Sequence, residues 1–211
     1  MMKLKEFIKE ARHTVENLFR QEGFVDYNKV YELDGPGRAS GNTISVMLDA
    51  FVLTGSDKYL SLAEQVIRQC IHPEDDIGSR DLLDVENRWM YTIFLQELGN
   101  YLDLKTELGQ QDEMFAYARS TLLHYADWMV EHEYIYLDKA EKLEYPNETW
   151  AAQELRKGAV LLQAACYTKS EQQKTIFRQA AEHFLTGGLR RLQAFPTGDL
   201  LRPLALLLKW T

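Results

Sequence analysis

The sequence predicts an all-α protein of paired helical hairpins in two layers, and three observations lead there. Apolar residues recur at helical spacing through most of the 211 residues, and convincing strand alternation is missing. Helices apolar on nearly every side alternate with helices apolar on one face only, which sorts them into a buried inner layer and an outer layer facing water. Links from an apolar helix to the next amphipathic one are short, whereas three of the four links back are long, and all are rich in Asp, Glu, Arg, Gly and Pro. Alternation sends every inner helix the same way, so the long loops gather on one rim, at the inner N-termini. Function is expected on that rim.

The elements follow in order. An amphipathic helix is expected over about residues 2–22, with Phe7, Ile8, Ala11, Val15, Leu18 and Phe19 as its stripe and Gly23 as its stop. The loop from Phe24 to Arg38 closes on Asp34-Gly35-Pro36-Gly37, a strong turn signal. A helix over about 40–54 is apolar almost all round, and Thr54-Gly55-Ser56-Asp57 ends it and caps the next, at about 57–71. An acidic loop, Glu74 to Asp81, leads to a helix over about 84–104 carrying Trp89, Met90, Tyr91, Ile93 and Phe94. A fifth helix, about 111–132, is amphipathic through Met114, Tyr117, Thr121, Tyr125 and Trp128. After an aromatic and charged loop, Glu133 to Tyr145, comes a helix over about 147–167. Pro146 and Asn147 give it a sharp start, and its later turns are almost wholly apolar or small. Its first turns nevertheless carry Glu148, Gln153, Glu154, Arg156 and Lys157, which are costly to bury unless paired or offered to a ligand. The partner helix, about 170–194, contains Gly187-Gly188, expected to kink or break it, and a last apolar helix runs from Pro196-Thr197-Gly198-Asp199 to about Leu208.

Composition excludes several classes. A net charge of −8 with scattered Lys and Arg argues against a nucleic-acid partner. The N-terminal helix has charges throughout and no apolar signal core, and the run Leu200 to Leu208 is too short to span a bilayer, so a soluble, cytoplasmic protein without a membrane partner is expected. Cys70 and Cys166 fall inside apolar helical patterns and read as buried core thiols. The histidines, His124 and His132 among them, have no metal-ligand spacing, so neither a metal nor a cofactor is expected. Nucleophile-elbow and phosphate-loop motifs are absent as well.

The joint Thr54-Gly55-Ser56-Asp57-Lys58-Tyr59-Leu60-Ser61-Leu62-Ala63-Glu64 resembles the inner-to-outer turn of (α/α)6-toroid proteins, the six-hairpin glycosidase-like superfamily. Arg88-Trp89 and Tyr145-Pro146-Asn147-Glu148-Thr149-Trp150 are similar in kind to that superfamily's rim motifs, and the likeness covers about residues 25–210. It implies a glycoside hydrolase, polysaccharide lyase or sugar epimerase with its active site on the rim, acting on an oligosaccharide. Eight helices make about four hairpins rather than six. The single domain, residues 1–211, is therefore expected as an incomplete toroid: an open arc, a portion of a larger chain, or a ring completed by a homo-oligomer or a partner domain.

Glu148 falls in the first turn of its helix, where the dipole favours the ionised carboxylate and suits it to act as a base, nucleophile or hydroxyl anchor. The plainer alternative is favourable first-turn helix chemistry. Asp81, Asp84, Glu86 and Arg88 cluster at another inner N-terminus, where Asp84 has the spacing of a cap and of an i,i+4 ion pair with Arg88. Glycoside hydrolysis needs two carboxylates about 5–5.5 Å apart for retention, or about 6.5–9.5 Å for inversion. Glu148 with Asp84 or Glu86 is the leading pair, and Asp81 is a further choice. Asp34 and Arg38 contribute from the rim turn before residue 40, with turn formation as the alternative. Trp150, Trp89 and Tyr145 are placed to stack on a sugar, along with Tyr91. Arg156 belongs to a polar column with Thr149, Gln153 and Gln163, suited either to bracing neighbouring helices or to gripping a carboxylated sugar. The rival class is a non-catalytic helical-repeat module that binds another protein through its concave face or open ends.

Overall fold

A computed structural model of the chain describes Leu33 and residues 35–195. The expected helices over about 2–22 and up to Leu208, and the candidate Asp34, lie outside the described residues. Within them the chain is all-α, with seven α-helices: α1 Arg38–Thr54, α2 Asp57–Cys70, α3 Val85–Arg88, α4 Tyr91–Glu107, α5 Glu113–His132, α6 Glu148–Tyr167 and α7 Glu171–Ala194. Single 3-10 segments at Ile77–Arg80 and Tyr136–Lys142 lie in the two loops that precede α3 and α6.

Packing reproduces the alternation. Helix α1 lies against α2 and α4, α4 against α5 and α6, and α6 most extensively against α7. The apolar helices α1, α4 and α6 therefore form a row, each followed by the helix that packs behind it. One apolar core joins the hairpins, through Ile44 and Met47 of α1, Ile67 of α2, Phe94 and Leu98 of α4, Leu122 and Met129 of α5, Leu161 of α6 and Phe177 of α7. Each such side chain, fully buried, contributes about 1.5–3 kcal/mol.

Capping sets the boundaries. Gly55 ends α1 in the left-handed conformation, φ 65°, and returns its N–H to the Phe51 carbonyl. Asp112 caps α5 by accepting from the Phe115 N–H at 2.9 Å, and Asn147 caps α6 by accepting from the Thr149 N–H at 2.9 Å.

Four expectations need correction. The helix expected over 84–104 is split, because the chain tightens at Trp89-Met90 into i→i+3 bonds, Thr92 N–H to Trp89 and Ile93 N–H to Met90. Helix α1 is not buried all round, since Asn42, Asp49 and Val52 are exposed. Cys70 is buried as expected, but Cys166 is exposed. Gly187-Gly188 neither kinks nor breaks α7, which runs unbroken to Ala194.

The glycine pair instead lets α7 approach its neighbours closely. A Cβ on Gly188 would lie 2.9 Å from the Ala151 carbonyl oxygen and 2.9 Å from the Glu154 Cβ. Gly188→Ala is therefore expected to destabilise the protein by about 1–3 kcal/mol through overpacking. Urea denaturation checks this; an unchanged midpoint would mean that α6 and α7 separate easily.

Candidate functional site

The N-terminal ends of the inner row converge on a 270 Å³ pocket lined by Arg38, Glu86, Trp89, Tyr145, Asn147, Thr149, Trp150 and Gln153. Arg38 opens α1, Glu86 comes from α3, Trp89 from the tight turn before α4, and the other five from the start of α6 and the loop before it. Its volume is near the lower end of the usual ligand range of about 300–1,000 Å³, which suits one end of a longer ligand.

The aromatic wall is built from beneath. Trp89 and Trp150 meet edge to face with ring centroids 6.2 Å apart, and Trp150 meets Tyr136 in the same way at 5.8 Å. The Trp150 indole N–H donates to the Tyr145 carbonyl at 3.1 Å, so the exposed Tyr145 loop is tied to the wall. Trp89 is only 9% exposed, and the guanidinium of Arg38 lies 5.3 Å from its ring centroid. Arg156 approaches the same ring at 5.9 Å. Trp89 is thus a platform for arginines, and Trp150 and Tyr145, the latter 71% exposed, are the aromatics left to meet a ligand.

Glu86 lines the pocket, and its Oε1 accepts from the Glu144 backbone N–H at 2.5 Å. Glu148 is buried at 9% exposure in the first turn of α6, and neither it nor Asp84 lines the pocket. Asp84 accepts from the Asn87 side chain at 2.9 Å rather than from Arg88, which is exposed and outside the pocket. Tyr91 and Asp81 are not pocket residues either. The acidic loop is fastened down: Asp75 accepts from Arg80 at 2.8 Å and from the Tyr125 hydroxyl at 2.7 Å. Arg156 donates to Gln96 of α4 at 3.0 Å and to Gln153 at 2.8 Å, and Gln163 reaches Asn100 at 3.4 Å. The polar column of α6 is thus a brace to α4.

No protein-family model, curated protein or solved structure matches the chain.

Directly behind the wall lies a charged cluster that the sequence did not single out as a unit. Lys157, Glu133 and Glu154 have fully buried side chains, with the Lys157 ammonium 2.8 Å from Glu133 and 3.1 Å from Glu154. The same ammonium donates to the Tyr134 carbonyl at 2.6 Å and sits 3.2 Å from the Tyr136 ring centroid. Glu133 also accepts from the Tyr91 hydroxyl at 2.6 Å and the Tyr136 hydroxyl at 3.3 Å, and Glu154 accepts from the Tyr136 N–H at 2.8 Å. Burial and the neighbouring Glu133 carboxylate push both phenols well above their ordinary range. The signal available in the sequence was Glu154 and Lys157 on an otherwise apolar helix, but their partners come from the loop that follows α5.

Two buried carboxylates share one ammonium, and Glu154 resists ionisation. Burial raises Glu154 to about 7, against the pull of Lys157 and the Tyr136 N–H. A carboxyl raised in the folded state holds its proton there while the unfolded chain has already lost it. Its contribution to stability therefore falls as pH climbs from about 4.5, the unperturbed value, to about 7. In Glu154→Gln that dependence is removed, so its melting-temperature deficit relative to wild type should shrink across this interval. Parallel pH profiles for the two proteins would contradict the assignment.

Proposed function

We propose that the rim pocket binds a saccharide and that the chain is a carbohydrate-active domain of glycoside hydrolase-like kind. One observation carries the reading: the inner helix row opens on a single pocket combining a half-buried indole and an exposed phenol with amide, hydroxyl, guanidinium and carboxylate groups. Sugars offer an apolar C–H face for such rings and a fringe of hydroxyls for such polar groups. Glu86 is the carboxylate that a bound sugar would meet first. Glu148, one residue after the α6 cap, is its nominated partner. The arc would be completed by a further part of a larger toroid, by a second copy or by a partner domain.

The test is turnover of neutral and uronic-acid oligosaccharides by wild type, Glu86→Gln and Glu148→Gln. New reducing ends report hydrolysis, and unsaturated-product absorbance reports elimination, which separates hydrolase from lyase. Loss of wild-type turnover in Glu86→Gln, with its melting temperature unchanged, is the expected result. Full turnover in both variants would remove these carboxylates from the chemistry. An epimerase at the same rim would instead exchange solvent deuterium into the sugar without cleavage.

A helical-repeat interaction module is the second reading, favoured by apolar side chains exposed on the inner row. Val52 of α1 is 67% exposed and Leu162 of α6 is 40% exposed. Retrieval of a protein partner that Val52→Asp abolishes, together with no saccharide binding, would favour that reading.

A further inference from the structure

Arg38 breaks a local rule. The first turn of a helix favours acidic residues, because the helix dipole leaves positive potential there. Helix α1 has no acidic residue in its first turn and opens on an arginine. Among the described residues no carboxylate pairs with Arg38; its neighbour is the flat face of Trp89, 5.3 Å away. A guanidinium over an indole face keeps its charge, and its forked N–H donors match a planar, bidentate anion. Exceptions to local preference that no neighbour compensates are where function is expected.

Other polar groups border the pocket. Helix α6, 20 residues long, also points its N-terminus at the pocket, through Asn147 and Thr149. Arg156 stands 5.9 Å from the same Trp89 ring and donates to Gln96 and Gln153. Glu86, the opposing charge in the lining, has one oxygen held by the Glu144 N–H. In a protein of net charge −8, Arg38 is a cation set beside sugar-sized aromatic surface.

Resting on the saccharide reading above, we infer that the pocket takes an acidic saccharide and that Arg38, stacked on Trp89, receives the carboxylate of a uronate unit. Neutral sugars satisfy the aromatic wall but leave the guanidinium edge without an anion.

The experiment is titration calorimetry with α- and β-linked uronate oligomers, each alongside its carboxyl methyl ester, which has the same sugar and linkage but no charge. Wild type is expected to bind one acid form about tenfold to a hundredfold more tightly than its ester, as a charge-assisted bidentate contact allows. Arg38→Gln should bring the acid down to the level of its ester. Arg38→Lys, which keeps the charge but not the fork, should fall between. Equal binding of acid and ester by wild type, or a preference that survives Arg38→Gln, would overturn this inference and leave the saccharide reading standing. Absence of binding by acids, esters and neutral oligomers alike would overturn both.

Discussion

Lys157→Met is expected to destabilise the protein by about 3–5 kcal/mol, the largest effect of any single substitution considered. The change keeps the length and apolar stem of the side chain but removes the ammonium from between Glu133 and Glu154, whose side chains are fully buried. Two carboxylates would then face each other without a cation, and the Tyr134 carbonyl would lose its 2.6 Å donor. Much of the penalty comes from the unpaired charge, so a second variant separates the causes. Adding Glu133→Gln and Glu154→Leu to Lys157→Met should recover a large part of the loss, since an apolar replacement of a buried ion pair is often close to neutral. Urea midpoints with unchanged slopes are the measurement. A deficit below about 1 kcal/mol, the range of exposed pairs, would mean that water reaches the cluster.

Trp150→Ala should weaken saccharide binding by about thirtyfold, equivalent to the roughly 2 kcal/mol of a central aromatic anchor. The indole is half-buried, edge-on to both Trp89 and Tyr136, and tied to the Tyr145 carbonyl. Its removal takes away one wall of the pocket and frees the loop bearing Tyr145. Some stability goes with it, less than the about 3–5 kcal/mol of a fully buried tryptophan. Trp150→Phe is the informative companion: it keeps an aromatic face without the N–H, so most of the affinity should return. Calorimetry on both variants, corrected for any unfolded fraction, gives the result. Affinity unaffected by Trp150→Ala would place the ligand elsewhere.

The fold was legible because it is periodic. Burial is highest in α4 and α6, and packing orders α1, α4 and α6 in a row whose N-terminal ends share one pocket. Turn chemistry was equally local: Gly55 and Asn147 end and start their helices as their residue types require. What sequence could not supply was direction and long-range pairing. Asp84 and Arg88 have ion-pair spacing, but α3 is four residues long and Asp84 turns to Asn87. Trp89 has the composition of a sugar platform, yet its face is taken by Arg38. Gly187-Gly188 reads as a break in one helix and proves to be where that helix meets Ile135 of the loop and the backbone of α6. Lys157 meets Glu133 across the whole loop that holds Tyr136, a pairing for which periodicity has no signature.

The saccharide reading stands on the pocket wall, and the wall has its own reporter. The Trp150 indole N–H, bonded to the Tyr145 carbonyl at 3.1 Å, gives a separate signal in a nitrogen–proton correlation spectrum. Titration with the oligosaccharide panel should shift the Trp150 indole peak progressively and saturably, with a smaller shift at Trp89 beneath it. Trp128, whose ring packs against Tyr91 and His132, should stay in place. Shifts in that order would put the sugar on the rim. A Trp150 peak that no oligosaccharide moves would contradict the central claim and favour the interaction-module reading.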